Sequence, residues 1–191
     1  YLIHYLSSIK KDTFKDNTLK SELDDVEYLS IDLLDNFREL ANTYFPKATV
    51  CADSFHVLQH ITKDFRDVRL RCRRTTENTV LIYLLTKFKH VFHHAIYLDN
   101  VPKYNKRLKR DVNYREIRDI LFASFPDLRL AYDLKEYYIA FNESASVEDA
   151  EGRLAEITYR FADSNIREYD EFYTLLTNWK AEIVNSFIEI N

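Results

Sequence analysis

The chain has 191 residues, a net charge of −4 and a hydrophobic content of 46%, the balance of a folded globular protein rather than a disordered one. Its one Gly and three Pro argue against an all-β fold with many tight hairpins and exclude a Gly-rich nucleotide-binding loop. No apolar run approaches the roughly 18 residues needed to cross a bilayer, and the first residues do not form a signal peptide. Two Cys without CxxC spacing favour a reducing compartment, so we expect a cytoplasmic protein.

The first third of the chain predicts a small α/β unit. Residues 1–11 are predicted to be helical, and 12–25 form a polar connection. The short apolar runs 27–31 and 48–52 each predict a buried strand, and the helical spacing of apolar residues over 34–44 predicts a helix between them. A strand, a helix and a strand with short links normally give two parallel strands.

Each predicted strand is followed directly by an acid, Asp32 after the first and Asp53 after the second. The carboxyl ends of parallel strands are the edge at which α/β sheets place their chemistry, so both acids are site candidates.

From about Phe55 onward the pattern predicts only helices, so we expect a mainly α fold: a partial α/β piece with two parallel strands, then an all-α region. Ser146 and Asp149 resemble a capping box before a helix that continues to about Phe161. The apolar residues from Tyr169 to Ile190 predict one long final helix of about 25 residues. The other predicted stripes are Leu81/Leu85/Phe88/Phe92, Tyr114/Ile117/Ile120/Leu121 and Leu130/Leu134/Tyr138/Phe141.

Asp32 is the first candidate for chemistry, because a carboxylate at a strand end is well placed to hold Mg²⁺, which prefers oxygen ligands. The alternative is that Asp32 simply caps the following helix. Asp53 and His56 are accessory candidates. One interpretation is that Asp53 caps the helix that carries His56, and the other is that the two side chains contact metal or DNA. His90, His93 and His94 have a spacing that suits a metal on a helix face, without an acidic partner at a suitable distance in sequence.

Two segments concentrate positive charge although the net charge has the wrong sign for a simple DNA-coating protein. Residues 63–74 hold six Lys or Arg and two Asp, and residues 103–110 hold five Lys or Arg and no acid. Solvated helix faces are one interpretation, and contact with DNA phosphates is the other. The candidate DNA-binding residues are Arg69, Arg71, Arg73, Arg74, Lys103, Lys106, Arg107, Lys109 and Arg110.

Four elements of the α/β unit, in their order and spacing, resemble a family of bacterial insertion-sequence DNA transposases with a DDE-type active site. They are Ile31-Asp32, Phe45-Pro46-Lys47-Ala48, the D-x-F-H-V block at residues 53–57, and Val68-Arg69. Residues 128–142 and 176–187 are also similar to the helical portion of that family, so the resemblance runs from about residue 26 to the end.

The resemblance implies an RNase H-like core that is split by a helical insertion between the second and third catalytic acids. It places 1–62 in the partial core, 63–180 in the helical insertion, and 181–191 in a helix that returns toward the core. Asp32 matches the second catalytic acid and a ligand of Mg²⁺ or Mn²⁺, whereas the first and third acids are expected outside this chain. The 191 residues are therefore expected to be an internal fragment that is inactive alone.

The intact protein is then expected to cleave and transfer DNA strands with a divalent metal ion. Its expected partners are double-stranded DNA and further copies of itself that assemble on the DNA, and no membrane. Its expected location is the cytoplasm of a bacterium, in association with the nucleoid. A non-enzymatic helical module that binds DNA or protein is the alternative, and a metalloenzyme centred on His90, His93 and His94 is a third hypothesis.

Overall fold

The computed structural model describes residues 23–188. The helix predicted for residues 1–11 and most of the polar connection at 12–25 lie outside the described residues. No helix within 23–188 is both long enough and apolar enough to cross a membrane.

The α/β unit has the predicted topology. Strand β1 (Tyr28–Ile31), helix α1 (Asp35–Tyr44) and strand β2 (Thr49–Ala52) follow one another, and the two strands pair in parallel from Tyr28 opposite Thr49 to Ile31 opposite Ala52. Helix α1 ends just before Phe45 and Pro46, as expected because the residue before a proline disfavours the helical conformation. Both predicted strands and their parallel pairing are confirmed.

The rest of the described chain is mainly helical, which confirms the predicted fold class. Its elements are α2 (Ser54–Thr75), α3 (Thr79–Lys87), a 3₁₀ turn (Lys89–Phe92), β3 (Lys103–Asn105), β4 (Arg110–Val112), α4 (Tyr114–Ser124), α5 (Pro126–Ser144), α6 (Ala150–Asp163), a second 3₁₀ turn (Arg167–Tyr169), α7 (Asp170–Asn178) and α8 (Lys180–Asn185).

Helix α2 is the central element, packing against α3, α5 and the second 3₁₀ turn. Its buried apolar residues recur every three or four positions, which is the helical period: Val57, Ile61, Phe65, Val68 and Cys72. This one helix begins directly after strand β2 and ends at Thr75, within the helical region. The predicted domain division at 62/63 therefore falls inside a continuous helix, and the division itself stays a prediction.

A β-hairpin interrupts the helical region, so the expectation that everything after Phe55 is helical was wrong in this segment. Strands β3 and β4 pair antiparallel across the basic segment 103–110. The turn uses no Gly: the Asn105 side chain accepts hydrogen bonds from the amides of Arg107 (3.0 Å) and Leu108 (3.2 Å), and Lys109 takes a positive φ of 55°. An asparagine that bonds its own backbone builds a turn that a search for glycine does not find.

The final helix is not continuous, which corrects the prediction of about 25 unbroken residues. It divides at Trp179, where φ is −112° and ψ is 19°. The guanidinium of Arg38 lies 3.7 Å from the centre of the Trp179 ring and donates to the carbonyl of Asn178 at 2.8 Å. After the break, Asn185 donates to the Val50 carbonyl at 2.8 Å, so α8 lies against β2.

Two smaller expectations differ in detail. Leu130 is 42% exposed although it was assigned to a core stripe with Leu134, Tyr138 and Phe141, which are buried. Before α6, the Asp149 carboxylate accepts from the Ser146 amide at 2.7 Å, but the N-cap residue of the helix is Asp149 itself, and it makes no side-chain cap. Half of the predicted capping box is present.

Candidate active site and nucleic-acid interface

Asp32 and Asp53 lie side by side because the strands that precede them are paired. Ile31 stands opposite Ala52 in the parallel register, and the Asp53 amide donates to the Ile31 carbonyl at 2.9 Å. Each acid is therefore the first residue after its strand, on the same edge of the sheet. The spacing of the two apolar runs predicted this adjacency, and the strand register brings it about.

His56 connects the two carboxylates. Asp53 is the N-cap of α2, with Oδ1 accepting from the Phe55 amide at 2.9 Å, and His56 follows one helical turn later. The His56 ring places Nδ1 3.0 Å from Asp53 Oδ2 and Nε2 3.5 Å from Asp32 Oδ2. We call these three residues the carboxylate–histidine site. The helix-cap interpretation of Asp53 is thus confirmed through Oδ1, while Oδ2 faces His56, and contact of Asp53 with metal or DNA stays a prediction.

The carboxylate–histidine site is half-open to solvent. Between 36% and 39% of each of its three side chains is exposed, so an incoming molecule could reach them without a change of fold. Asp32 Oδ1 accepts from the Leu33 amide at 2.8 Å, which holds the carboxylate in place. The N-cap interpretation of Asp32 is wrong, since α1 begins at Asp35 and its N-cap residue is Leu34, without a side-chain cap.

The donor set fits a metal only in part. Asp32 offers a carboxylate oxygen of the type that Mg²⁺ prefers, whereas both oxygens of Asp53 are already engaged by the helix N-terminus and His56. Within residues 23–188 no group of three or more His, Cys, Asp or Glu side chains is arranged to hold a metal ion. The described residues therefore offer the Asp32 carboxylate alone and do not form a complete metal site.

In the first basic segment, 63–74, the candidates Arg69 and Arg71 are both engaged by other groups of the protein. Arg69 is 9% exposed and donates to the Leu85 carbonyl at 2.6 Å, and this burial lowers its pKa. Arg71 bonds Glu168 at 2.7 Å, which raises its pKa, and Asp127 at 3.1 Å. Arg73 and Arg74 are exposed, and no ion-pair partner for them is found within residues 23–188. Of the candidates on this helix, only these last two are both exposed and unpaired within the described residues.

The second basic segment, 103–110, forms the hairpin and presents its cations to solvent. Lys103, Lys106, Arg107 and Lys109 are exposed and have no ion-pair partner in the described part of the chain. Arg110 is paired with Glu116 at 2.5 Å. Tyr104, which was not among the candidates, lies in strand β3 next to Lys103 and is 65% exposed.

The three clustered histidines do not converge. His90 packs edge-on against the Tyr114 ring at 4.7 Å, and burial lowers its pKa. His94 points to Glu136 at 2.6 Å and to Glu143 at 3.3 Å. The His90 and His94 rings thus meet different neighbours, no metal-binding group of three or more side chains forms within residues 23–188, and the metalloenzyme hypothesis gains no support from the described residues.

Sequence reasoning also missed a cavity beside the carboxylate–histidine site. It has a volume of about 720 Å³, and Phe55, Arg66 and Lys89 are among its lining residues. Phe55 and Arg66 lie on α2, but Lys89 lies in the first 3₁₀ turn and Ile139 on α5, so the cavity forms only where these separate elements meet and no local spacing could have identified it.

A family model described as "Transposase", DDE_Tnp_ISL3, matches residues 7–191 of the chain. No curated protein and no solved structure matches the chain at a significant level.

Proposed function

The chain belongs to the DDE_Tnp_ISL3 transposase family, and on that premise we propose that it carries part of the active site with which the intact transposase cleaves and transfers DNA strands in a metal-dependent reaction. The observation that carries this proposal is the placement of Asp32 and Asp53 side by side at the carboxyl edge of two parallel strands. Polar groups at that edge perform the chemistry in many α/β folds.

Asp32 is the proposed catalytic carboxylate. It is held by its hydrogen bond to the Leu33 amide, and its second oxygen faces His56 and solvent. In the intact enzyme this oxygen would be one ligand of Mg²⁺ or Mn²⁺, with the remaining acids supplied from outside the described residues. Such an ion supplies an activated water for phosphodiester cleavage and stabilises the leaving oxygen.

Asp53 and His56 are proposed as positioning residues for Asp32. With its Nδ1–H donated to Asp53, the His56 ring is held in one orientation, and its Nε2 faces Asp32 at 3.5 Å. A carboxylate that holds a histidine by its other nitrogen is a common way to orient a side chain at a reactive site. Loss of His56 should therefore lower the rate less than loss of Asp32.

The proposed DNA contacts are the exposed cations. The hairpin residues Lys103, Lys106, Arg107 and Lys109 would bind phosphates of duplex DNA, joined by Arg73 and Arg74 at the end of α2. Arg69 and Arg71 are left out because a buried carbonyl and two acids already hold them. Assembly of the intact protein as a homo-oligomer on DNA is part of the same proposal.

The test is nicking of transposon-end DNA by the intact transposase in Mg²⁺ or Mn²⁺. Asp32→Asn removes the charge without changing the shape and should abolish nicking, because the ligand oxygen is lost. Asp35→Asn is the matched control: Asp35 lies three residues later with its side chain 87% exposed, and its replacement should leave the rate unchanged.

Retained nicking in a folded Asp32→Asn protein would move the catalytic acid elsewhere, with Asp53 the next candidate. Absence of nicking in every protein, wild type included, would favour the non-enzymatic helical module. The 191 residues alone are expected not to cleave DNA, since the described part offers one carboxylate and no complete metal site.

A further inference from the structure

The cavity beside the carboxylate–histidine site is a groove between α2, α5 and the first 3₁₀ turn, and we call it the α2–α5 groove. Its volume of about 720 Å³ lies within the range of small-molecule sites. A DNA duplex is too wide to enter a groove of this volume. Apolar side chains, among them Leu58, Phe65 and Ile139, form part of its lining. The groove therefore offers both shape and apolar surface to whatever enters it.

The charge of the groove has a single sign. Seven of its lining side chains are Lys, Arg or His, and no Asp or Glu side chain is among the described residues that line it. Lys89 has no ion-pair partner within residues 23–188, and Arg66 has only Asp67, at 3.5 Å. Lys135, in contrast, is buried and bonds the Phe92 carbonyl at 3.1 Å. Lys63 contacts Asp64 at 3.4 Å, so Lys89, and Arg66 beyond its contact with Asp67, are the cations best placed to bind an anion in the groove.

An exposed aromatic ring stands where the groove meets the carboxylate–histidine site. Phe55 lines the groove, is 61% exposed and packs edge-on against the His56 ring at 5.8 Å between centres. It lies in the first turn of α2, directly between Asp53 and His56 in sequence. An occupant of the groove that touches Phe55 is therefore one side chain away from His56, whose Nε2 lies 3.5 Å from Asp32 Oδ2.

We infer that the α2–α5 groove binds single-stranded DNA, with an unpaired base against Phe55 and phosphates at Arg66 and Lys89. An aromatic side chain flanked by cations is the combination that binds unpaired strands, because bases stack on the ring while the backbone meets the positive charge. A duplex offers mainly phosphates to a protein surface and would leave the apolar lining and Phe55 without a partner. The inference rests on the proposed function and specifies the form of DNA held beside Asp32.

The test compares a short fluorescent oligothymidylate with a duplex of the same length, each titrated with the chain and followed by anisotropy over a range of salt concentrations. Because the hairpin cations are proposed to bind the duplex elsewhere on the chain, the groove is identified by variants that weaken single-strand binding and leave duplex binding unchanged. Phe55→Ala should weaken single-strand binding about 5-fold or more, the loss expected for one stacked base. Lys89→Ala and Arg66→Ala should each reduce the slope of log K against log[salt] by about 0.7, the value for one phosphate contact with a single strand.

Two exposed residues outside the groove serve as matched controls. Lys87→Ala removes a cation two residues from Lys89, and Tyr159→Ala removes a ring that is 68% exposed on α6. Neither should change the affinity for the single strand. Thermal denaturation establishes that each variant keeps its fold, and Phe55→Leu, which retains an apolar side chain without an aromatic face, should lose binding as Phe55→Ala does.

Single-strand affinity that survives Phe55→Ala and Phe55→Leu, or an equal loss of duplex affinity in these two variants, would overturn the inference. That result would leave the proposed function intact if nicking by the intact transposase still requires Asp32. Conversely, Phe55-dependent binding of the single strand without any nicking would retain the groove and remove the proposed catalytic role.

Discussion

The two basic segments carry similar charge in the sequence and have different roles in the structure. In 63–74 the cations lie on α2, where the Arg69 guanidinium is buried and Arg71 is held by two acids. In 103–110 they lie on a hairpin whose turn cations are exposed.

The difference shows that charge density alone does not locate a nucleic-acid surface. A central helix packs against several neighbours, so cations on different sides of it meet carbonyls, acids or solvent in turn. A short hairpin has little interior, so most of its side chains remain in water. The four predictions below test this contrast in order of their expected effect on the free energy of unfolding.

Replacement of Arg69 should have the largest effect. Arg69→Met keeps the aliphatic length but leaves the Leu85 carbonyl without its donor, so we expect a loss of about 2 kcal/mol, in the range for a hydrogen bond from a charged group. Urea denaturation measures it, with Arg73→Met as the exposed control on the same helix, which should change stability by less than about 0.5 kcal/mol. Equal effects of the two replacements would show that burial of Arg69 is not stabilising.

Asn105→Ala should have the next largest effect, because it removes the acceptor of two backbone amides in the hairpin turn. The expected loss is about 1–2 kcal/mol if both amides lose their partner. Amide hydrogen exchange should increase between Lys103 and Val112, with the exchange of α5 unchanged. Unaltered exchange in the hairpin would mean that strand pairing, and not the asparagine, holds the turn.

Asp64→Asn should raise stability at neutral pH by a smaller amount. Asp64 is 3% exposed, and burial raises its pKa above the ordinary value of 3.8. Between the pKa of Asp64 in the unfolded state and its higher pKa in the native state, the native state binds more protons than the unfolded state. The free energy of unfolding of the wild type should therefore fall as the pH rises through that window, and the variant should lack this fall. Asp67→Asn, whose side chain is 38% exposed, is the control. If Asp64→Asn and the wild type show the same pH dependence of the free energy of unfolding, burial of the Asp64 carboxylate is not its cause.

The combined replacement of Lys106, Arg107 and Lys109 by Ala should leave stability unchanged within about 0.5 kcal/mol. It should reduce the slope of log K against log[salt] for duplex DNA by about 2 to 3, since each phosphate contact contributes about 0.9. Arg71→Ala, which breaks ion pairs within the protein, should leave that slope as it is. A slope that responds to Arg71 and not to the hairpin would reverse the comparison between the two segments.

The α/β unit was predictable because its signals are local. Each strand is a short apolar run with an acid after it, and the parallel arrangement follows from the short links around α1. The adjacency of Asp32 and Asp53 followed from that topology. The bridge through His56 did not, because it depends on how α2 leaves the sheet.

The elements that were missed depend on partners distant in sequence or on turn chemistry without glycine. The apolar period continues through Trp179, but Arg38, 140 residues before Asn178, bonds the backbone there and stacks on the ring. The hairpin turn depends on the Asn105 side chain and on Lys109 with positive φ, neither of which stands out in a pattern of hydrophobicity.

By itself the sequence determined which residues form strands and helices near the site, which family the chain resembles, and where positive charge is concentrated, since all three are properties of neighbouring residues. Only the tertiary structure decided which cations remain free, how His56 meets both carboxylates, and that a groove opens beside them. These depend on side chains from separate elements meeting in space, because a buried carbonyl or an opposing acid engages a cation only when packing brings the two together.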